Sequence, residues 1–407
     1  MPRTRRWLIG FSSVVVMLAF SLRAHAVPGC PFCAPSDPPF SQRLANCDVA
    51  LLVKWVSLTS DEKVVGKETT VFEVISTFRS TTTKRKFQPK ELINWGFGRD
   101  GNAGDPFLLI GMEDGDSIIW EKPLALTGEY LYAYIRVLPP PEDPNRLAFF
   151  LKFLEFPDSE ICNDAYAEFS RAQFKEVAAL APKLPRAKLR TWLESSDPQI
   201  QVRLGLYGMM LGLGGDDSDA EFLERQILKA PDPNKPRFGI DGMMAGYVLL
   251  TGEVGLHKLL DAKFNDPLAD DDLLAMRNSL MFLWEYAQDR VSPDLLRASM
   301  RRFLGRPKVA VNVIENLARW KDWESLDLLI AAYGKAPFDS IFTRQKVIAF
   351  ALACERDGIK TSPDALPQTA LTARRFLNGL DRDLVKGVER TLLNSKSAVE
   401  ANSTPQE

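Results

Sequence analysis

The chain has 407 residues, 45% hydrophobic and 26% charged, with 51 Lys+Arg against 53 Asp+Glu and a formal net charge of −2. That length accommodates two or three domains, and the near-neutral balance lacks the broad basic field that nucleic-acid binding uses. With only two histidines, a Ser-His-Asp triad or a His-rich metal site has few residues to draw on.

Residues 1–26 have the layout of a secretory signal. Arg3, Arg5 and Arg6 form a charged start, Trp7 to Leu22 an apolar run, and Ala24-His25-Ala26 a small-residue cleavage site. The run is shorter than the roughly 20 residues of a spanning helix, so cleavage and export to a periplasmic or extracellular space are expected. A membrane association requires that this segment be retained or lipidated. Thr4-Arg5-Arg6-Trp7-Leu8 is loosely similar to a twin-arginine signal and Val27-Pro28-Gly29-Cys30 to a lipoprotein processing site, with Arg23, His25 and Pro28 against lipidation. His25 leaves with the signal. The remaining histidine, His257, lies among Leu256, Leu259 and Leu260 at helical spacing and reads as a surface or groove residue.

Cys30, Cys33 and Cys47 follow within one proline-rich stretch containing Pro31, Pro35, Pro38 and Pro39. In an oxidising compartment these three, with Cys162, are disulfide candidates. A Cys33–Cys47 bridge closes about 15 residues, worth on the order of 3 kcal/mol in the chain-entropy estimate; Cys30 is then unpaired or matched with Cys162, and the connectivity stays open. Cys30-Pro31-Phe32-Cys33 is also similar to the glutaredoxin active site, a resemblance that implies Cys30 as nucleophile and Cys33 as resolving thiol. That chemistry needs a strand before the motif and a helix after it, and the following prolines oppose the helix. Ala34 stands where a haem-attaching histidine belongs. No catalytic residue, cofactor or metal is assigned outside that alternative.

Residues 49–56 are nearly continuous in apolar character, as a buried strand requires, and 69–78 alternate. Strands are expected again at 107–112 and 117–120 around the turn Glu113-Asp114-Gly115-Asp116. Asp100, Asn102 and Asp105 lie in a glycine-rich loop whose spacing misses a calcium pattern, since Gly104 and Gly111 occupy ligand positions. Lys84-Arg85-Lys86 reads as a solvated loop tip. The strands imply a small closed or partly open barrel. Thr127 caps a helix through Tyr130, Leu131, Tyr134 and Ile135, or that stretch forms a last strand.

The string from Cys30-x-x-Cys33 through Asn46-Cys47-Asp48-Val49-Ala50-Leu51-Leu52-Val53, with the later Phe107-Leu108-Leu109-Ile110-Gly111, resembles the N-terminus of netrin-like OB-fold domains, including the tissue inhibitors of metalloproteinases. The resemblance covers roughly residues 30–138 and implies an OB-like barrel. Those inhibitors chelate the protease zinc through an N-terminal cysteine, whereas here Val27-Pro28-Gly29 precede Cys30 and the family's mid-domain cysteines are missing. Inhibition is therefore a minor alternative.

Beyond the linker 139–145, with Pro139, Pro140 and Pro141, the chain reads as helical to residue 393, and 394–407 reads as a frayed tail. Asp197-Pro198-Gln199-Ile200-Gln201-Val202-Arg203, followed by Leu211-Gly212-Leu213-Gly214, resembles the first helix of a HEAT repeat, with Asp197 as cap and Arg203 bonding across units. Helix pairs begin near 198, 238, 273, 308 and 341, spacings of about 33 to 40 residues. Asp216-Asp217-Asp219 and Asp270-Asp271-Asp272 precede helices and read as caps; Trp284, Trp320 and Trp323 read as helix-pair contacts or a ligand groove. The expected class is multidomain α+β: signal 1–26, an OB-like β domain 27–138, and an α-helical HEAT-like solenoid 146–393. The expected function is an exported, non-catalytic protein or peptide binder acting through the helical array.

Overall fold

The computed structural model describes residues 29–60, 68–81, 85–126, 128, 130–229, 236–266 and 270–401, with side chains described to residue 392. The expected signal 1–26, the cap Thr127 and Lys84 fall outside these residues. The chain is mixed α+β: an antiparallel sheet in the N-terminal part, then many helices.

A short helix α1 (Phe40–Asn46) leads into β1 (Val49–Ser60), followed by β2 (Glu68–Ser80), β3 (Leu92–Trp95), β4 (Pro106–Asp114), β5 (Ser117–Trp120) and β6 (Leu124–Ala125). The strand order is β3-β2-β1-β4-β5, with β6 also paired to β4. The sheet is open, ending at β3 and β5, where a barrel was expected. Its ends still approach on one face, because Phe87 from the β2–β3 connection meets Trp120 of β5 with ring centroids 5.8 Å apart.

The central position of β1 explains its continuous apolar sequence. Val49, Leu51 and Val53 join Phe72, Val74, Phe107 and Leu109 in a core on one face. Ala50, with Leu108 and Ile110 of β4, turns the other way into a core shared with α1 and the helices. A strand buried on both faces has no polar face to display. The sheet and the helical part therefore share one of their two cores.

After β6 the chain forms α2 (Leu131–Arg136), α3 (Arg146–Phe150), α4 (Ser159–Arg171), α5 (Phe174–Ala178), α6 (Arg186–Leu193), α7 (Pro198–Gln201), α8 (Leu204–Gly214) and α9 (Asp217–Leu228). Then come α10 (Ile240–Phe264), α11 (Asp270–Tyr286), α12 (Pro293–Arg301), α13 (Pro307–Ala310), α14 (Ile314–Arg319), α15 (Leu326–Ala332), α16 (Ile341–Thr361), α17 (Gln368–Asn378) and α18 (Arg382–Ala401). The stretch 130–137, open between strand and helix, is the helix α2. The expected tail is helical as far as Ala401. The helix pair expected to begin near 238 is the two halves of α10, divided at Gly252, whose φ of 62° breaks the helix.

α8 and α10 pack backbone against backbone. A Cβ on Gly212 would lie 2.2 Å from Gly246 Cα, and one on Gly242 would lie 2.0 Å from Gly205 O. No larger residue fits there.

Buried aspartates tie separate elements of the helical part together. Asp219 of α9 accepts from Arg186 (2.6 Å) and Arg190 (2.5 Å) of α6. Asp272 of α11 accepts from Lys263 at 2.5 Å and also pairs with Arg237, and Asp322 accepts from Arg301 Nε at 2.9 Å. The expected capping role is met by Asp216, which accepts from the Ser218 and Asp219 amides. Asp219 and Asp272 add inter-helix pairing that the local pattern does not reveal.

Candidate functional site

The N-terminal residues 29–39 form a strap that runs across the helical part before α1 begins. Cys30 and Cys33 sit in a turn closed by Cys33 N donating to Cys30 O (3.2 Å), and their sulfurs are joined, with Cα atoms 5.4 Å apart. Cys47, Cys162 and Cys354 are buried thiols. The Cys33–Cys47 pairing weighed from loop length is thus not the one formed. Cys47 instead donates to Leu44 O at 3.3 Å, and burial pushes its thiol above the ordinary range. Burial likewise pushes Cys354 up to about 11.

The strap is fastened at three places. At its start, Cys30 N donates to Ser170 O at 2.9 Å, in the last turn of α4. Phe32 is buried against Gly205 of α8 and meets Phe282 of α11 with ring centroids 5.0 Å apart. Along the extended middle, Ala34 N donates to Tyr166 Oη (2.8 Å) and Arg171 donates to Ser36 O (2.9 Å). At the end, Phe40 N donates to Asp164 Oδ1 (2.5 Å) and Ser41 Oγ donates to Glu168.

Asp164 and Glu168 are one helical turn apart on α4, so both carboxylates face the strap. Tyr134 of α2 also donates to Asp164, at 2.6 Å. The cation beside Glu168 is Arg146 of α3, 3.5 Å away and shared with Glu176 of α5. Desolvation dominates here: it pushes Asp164 up to about 6 and Glu168 up to about 7, against the lowering effect of their hydrogen bonds and of Arg43 and Arg146.

Two recesses flank the strap. A cavity of about 560 Å³ lies under its middle, lined by strap residues together with Asn163, Asp164, Tyr166 and Arg203. Arg203 is 2% exposed and reaches Glu155 (2.9 Å) and Asn163 (2.7 Å), the expected bond to a preceding helix. On the other side of Phe32 a groove of about 320 Å³ is lined by Pro31, Met281, Phe282, Trp284, Tyr286 and Trp320, with Asn278, Glu285, Asn316 and Arg319 supplying polar groups. Trp284 and Trp320 stack with centroids 4.4 Å apart and planes 8° from parallel. Trp323 is elsewhere: its indole donates to Asp357 (2.8 Å) and its ring packs on Phe350. Of the three tryptophans singled out in the sequence, two come together at a groove and one serves a helix contact. The sequence gives no local sign of Pro31 beside them, a juxtaposition across some 250 residues of chain.

His257 is exposed on α10. Asp105 accepts from the Asn102 amide (2.7 Å) and so organises its own loop. Arg85 pairs with Glu91 (2.6 Å) and lies over the Phe87 ring. Among the described residues no group of three His, Cys, Asp or Glu side chains is arranged to hold a metal ion, and no helix is long and apolar enough to cross a membrane. The chain matches no family model, no curated protein and no solved structure, and its site is read from its own residues.

Proposed function

We propose that this chain is an exported, non-catalytic binding protein whose helical array, of HEAT-like solenoid character, holds an extended segment of a protein or peptide partner. The observation that carries the reading is the strap: the array already holds one extended, proline-rich segment, engaging its backbone through Tyr166 and Arg171. A surface that satisfies the amides and carbonyls of an extended chain by side chains is suited to peptide recognition. The contacts of α8 with α10, of α10 with α11, of α11 with α12 and of α16 with α17 support the array reading, because repeat helices pack on their near neighbours in sequence. The β part serves in this reading as an OB-like cap on the array.

A photocrosslinking residue at exposed Asn278 on the groove rim, compared with one at exposed Phe342 on α16, tests this in cells. A recurring adduct from Asn278 alone is expected. Equal adducts from both positions, or none, would remove the reading.

The joined Cys30–Cys33 pair supports a second reading, thiol-disulfide exchange with Cys30 as nucleophile. Its surroundings argue against a stabilised thiolate. Cys30 sits at the carbonyl end of α4, where the helix dipole disfavours negative charge. Metalloprotease inhibition has less support, since the Cys30 nitrogen that would have to chelate is bonded to Ser170 O.

A further inference from the structure

We infer that the groove beside Pro31 takes a proline-containing segment of a partner protein in the polyproline II conformation, a ligand class that deepens the peptide-binding reading and rests on it. The groove continues directly from the interface between strap and helices. Phe32 fills the Gly205–Phe282 socket, Pro31 forms one wall of the groove, and Trp284, Tyr286 and Trp320 carry the aromatic surface onward. Pro31 is itself exposed and borders the groove, while its neighbour Phe32 is taken in by the helices. The strap beyond it is of the same kind, four prolines in the span 31–39, with Pro39 at φ −66° and ψ 159°, close to the polyproline II geometry.

The groove's chemistry fits that ligand for three reasons. A polyproline II segment has no internal hydrogen bonds, so its carbonyls require donors from the receptor. Trp55 donates its indole N–H to Arg99 O and Trp323 to Asp357. The indole N–H groups of Trp284 and Trp320, by contrast, have no partner among the described residues, and neither is sealed from solvent. Second, Tyr286 and the rim of the stacked Trp284–Trp320 pair give the groove an aromatic border for an apolar pyrrolidine ring, and the ligand's preformed backbone lowers the entropy lost on binding. Third, the exposed rim carries polar side chains, Arg319, Glu285 and Asn278, and Arg277 donates to Asn316 and Asn278 of the lining, so that donors stand near the carbonyls of a bound segment.

The test uses the full chain with a capped oligoproline peptide and a glycine–serine peptide of equal length, read by tryptophan fluorescence and calorimetry. Oligoproline should bind and the glycine–serine peptide should not. Trp284→Ala should weaken binding about thirtyfold, the loss of one aromatic anchor. Trp284→Phe, which keeps a ring and removes the N–H, should weaken it about fivefold. Each variant's thermal midpoint and circular dichroism show whether it is folded, and Phe is the control if Ala is not. Binding of both peptides alike, or oligoproline binding that neither variant changes, overturns the inference. So does concentration-dependent self-association that oligoproline cannot displace, which would make a second copy the occupant. If oligoproline fails while Asn278 still gives its specific adduct, the ligand class is wrong and the peptide-binding reading stands; if both fail, the reading falls with it.

Discussion

Buried carboxylates occur in two settings in this molecule. In the helical part Asp219, Asp272 and Asp322 are each met by arginine or lysine from another helix turn or element. Under the strap, Asp164 is met by an amide and a phenol, and Glu168 by a serine hydroxyl and one arginine that it shares with Glu176. In the first setting the donors to the carboxylate are cations. A carboxylate served mainly by neutral donors is instead pushed toward its protonated form by desolvation. The helical part is thus cross-tied by ion pairs, whereas the strap is fastened by groups that desolvation pushes toward protonation.

The largest effect expected from this contrast is in the array. Asp272→Ala leaves Lys263, 4% exposed, without its carboxylate and Arg237 without its ion-pair partner. The loss should be about 3–5 kcal/mol, measured as a shift in urea unfolding at constant m-value. A loss below about 1 kcal/mol would mean that these pairs are not what distinguishes the array.

The second effect is pH dependence at the strap. Asp164 is raised from 3.8 to about 6 and Glu168 from 4.5 to about 7, with desolvation the first cause in both. The folded state then binds protons more tightly than the unfolded state, so this contribution to stability is fully present below about pH 4. It is lost as pH rises through the folded values of about 6 and about 7. Other groups facing the pair are Tyr134, Arg43, Glu160, Arg146 and Glu176; of these Glu176 is lowered by Arg146 and titrates below the window. Strap protection, read by hydrogen exchange at the Phe40 amide corrected for intrinsic rate, should weaken between pH 5 and pH 8 by on the order of 2 kcal/mol. Asp164→Asn should flatten much of that slope. A slope unchanged by both Asp164→Asn and Glu168→Gln would place its origin elsewhere.

What the sequence made legible follows from the range of the interactions involved. Strands at 49–56 and 107–112 and most helices are written in local periodicity, and Arg203 was recognisable as a cross-helix group because it follows a helix-start motif. Closure of the sheet was not legible, since it depends on whether β3 and β5 pair across a long connection. Phe87 meets Trp120 there without a strand pairing. The α8–α10 contact is visible only in hindsight, as glycines at 208, 212, 242 and 246 that allow two backbones to touch. Asp164 and Glu168 carry no local mark at all. On α4 they look like an ordinary polar face, and only the strap's return across some 120 residues buries them. The groove was half legible: Trp284 and Trp320 were identifiable as aromatic, while Pro31 reaches them through tertiary structure alone.

The smallest expected effect belongs to the Cys30–Cys33 bond, and it decides which end of the strap matters more. A bridge spanning four residues removes little chain entropy, about 2 kcal/mol at most, and the turn is also held by Cys30 N on Ser170 O and by buried Phe32. Reduction should therefore leave the urea midpoint of the helical part nearly unchanged and raise proteolytic cleavage within 29–39 only slightly, because Cys30 N, Phe32, Ala34 N and Arg171 still hold the strap. If reduction instead unfolds the array, the strap is a structural staple and not a fastened guest. The same sample tests the chemistry of the thiol. Lying at the carbonyl end of α4, reduced Cys30 should alkylate at the rate of an ordinary thiol. A markedly faster reaction at neutral pH would reverse the ranking of the two functional readings, since a stabilised thiolate at that position has no structural purpose and every redox one.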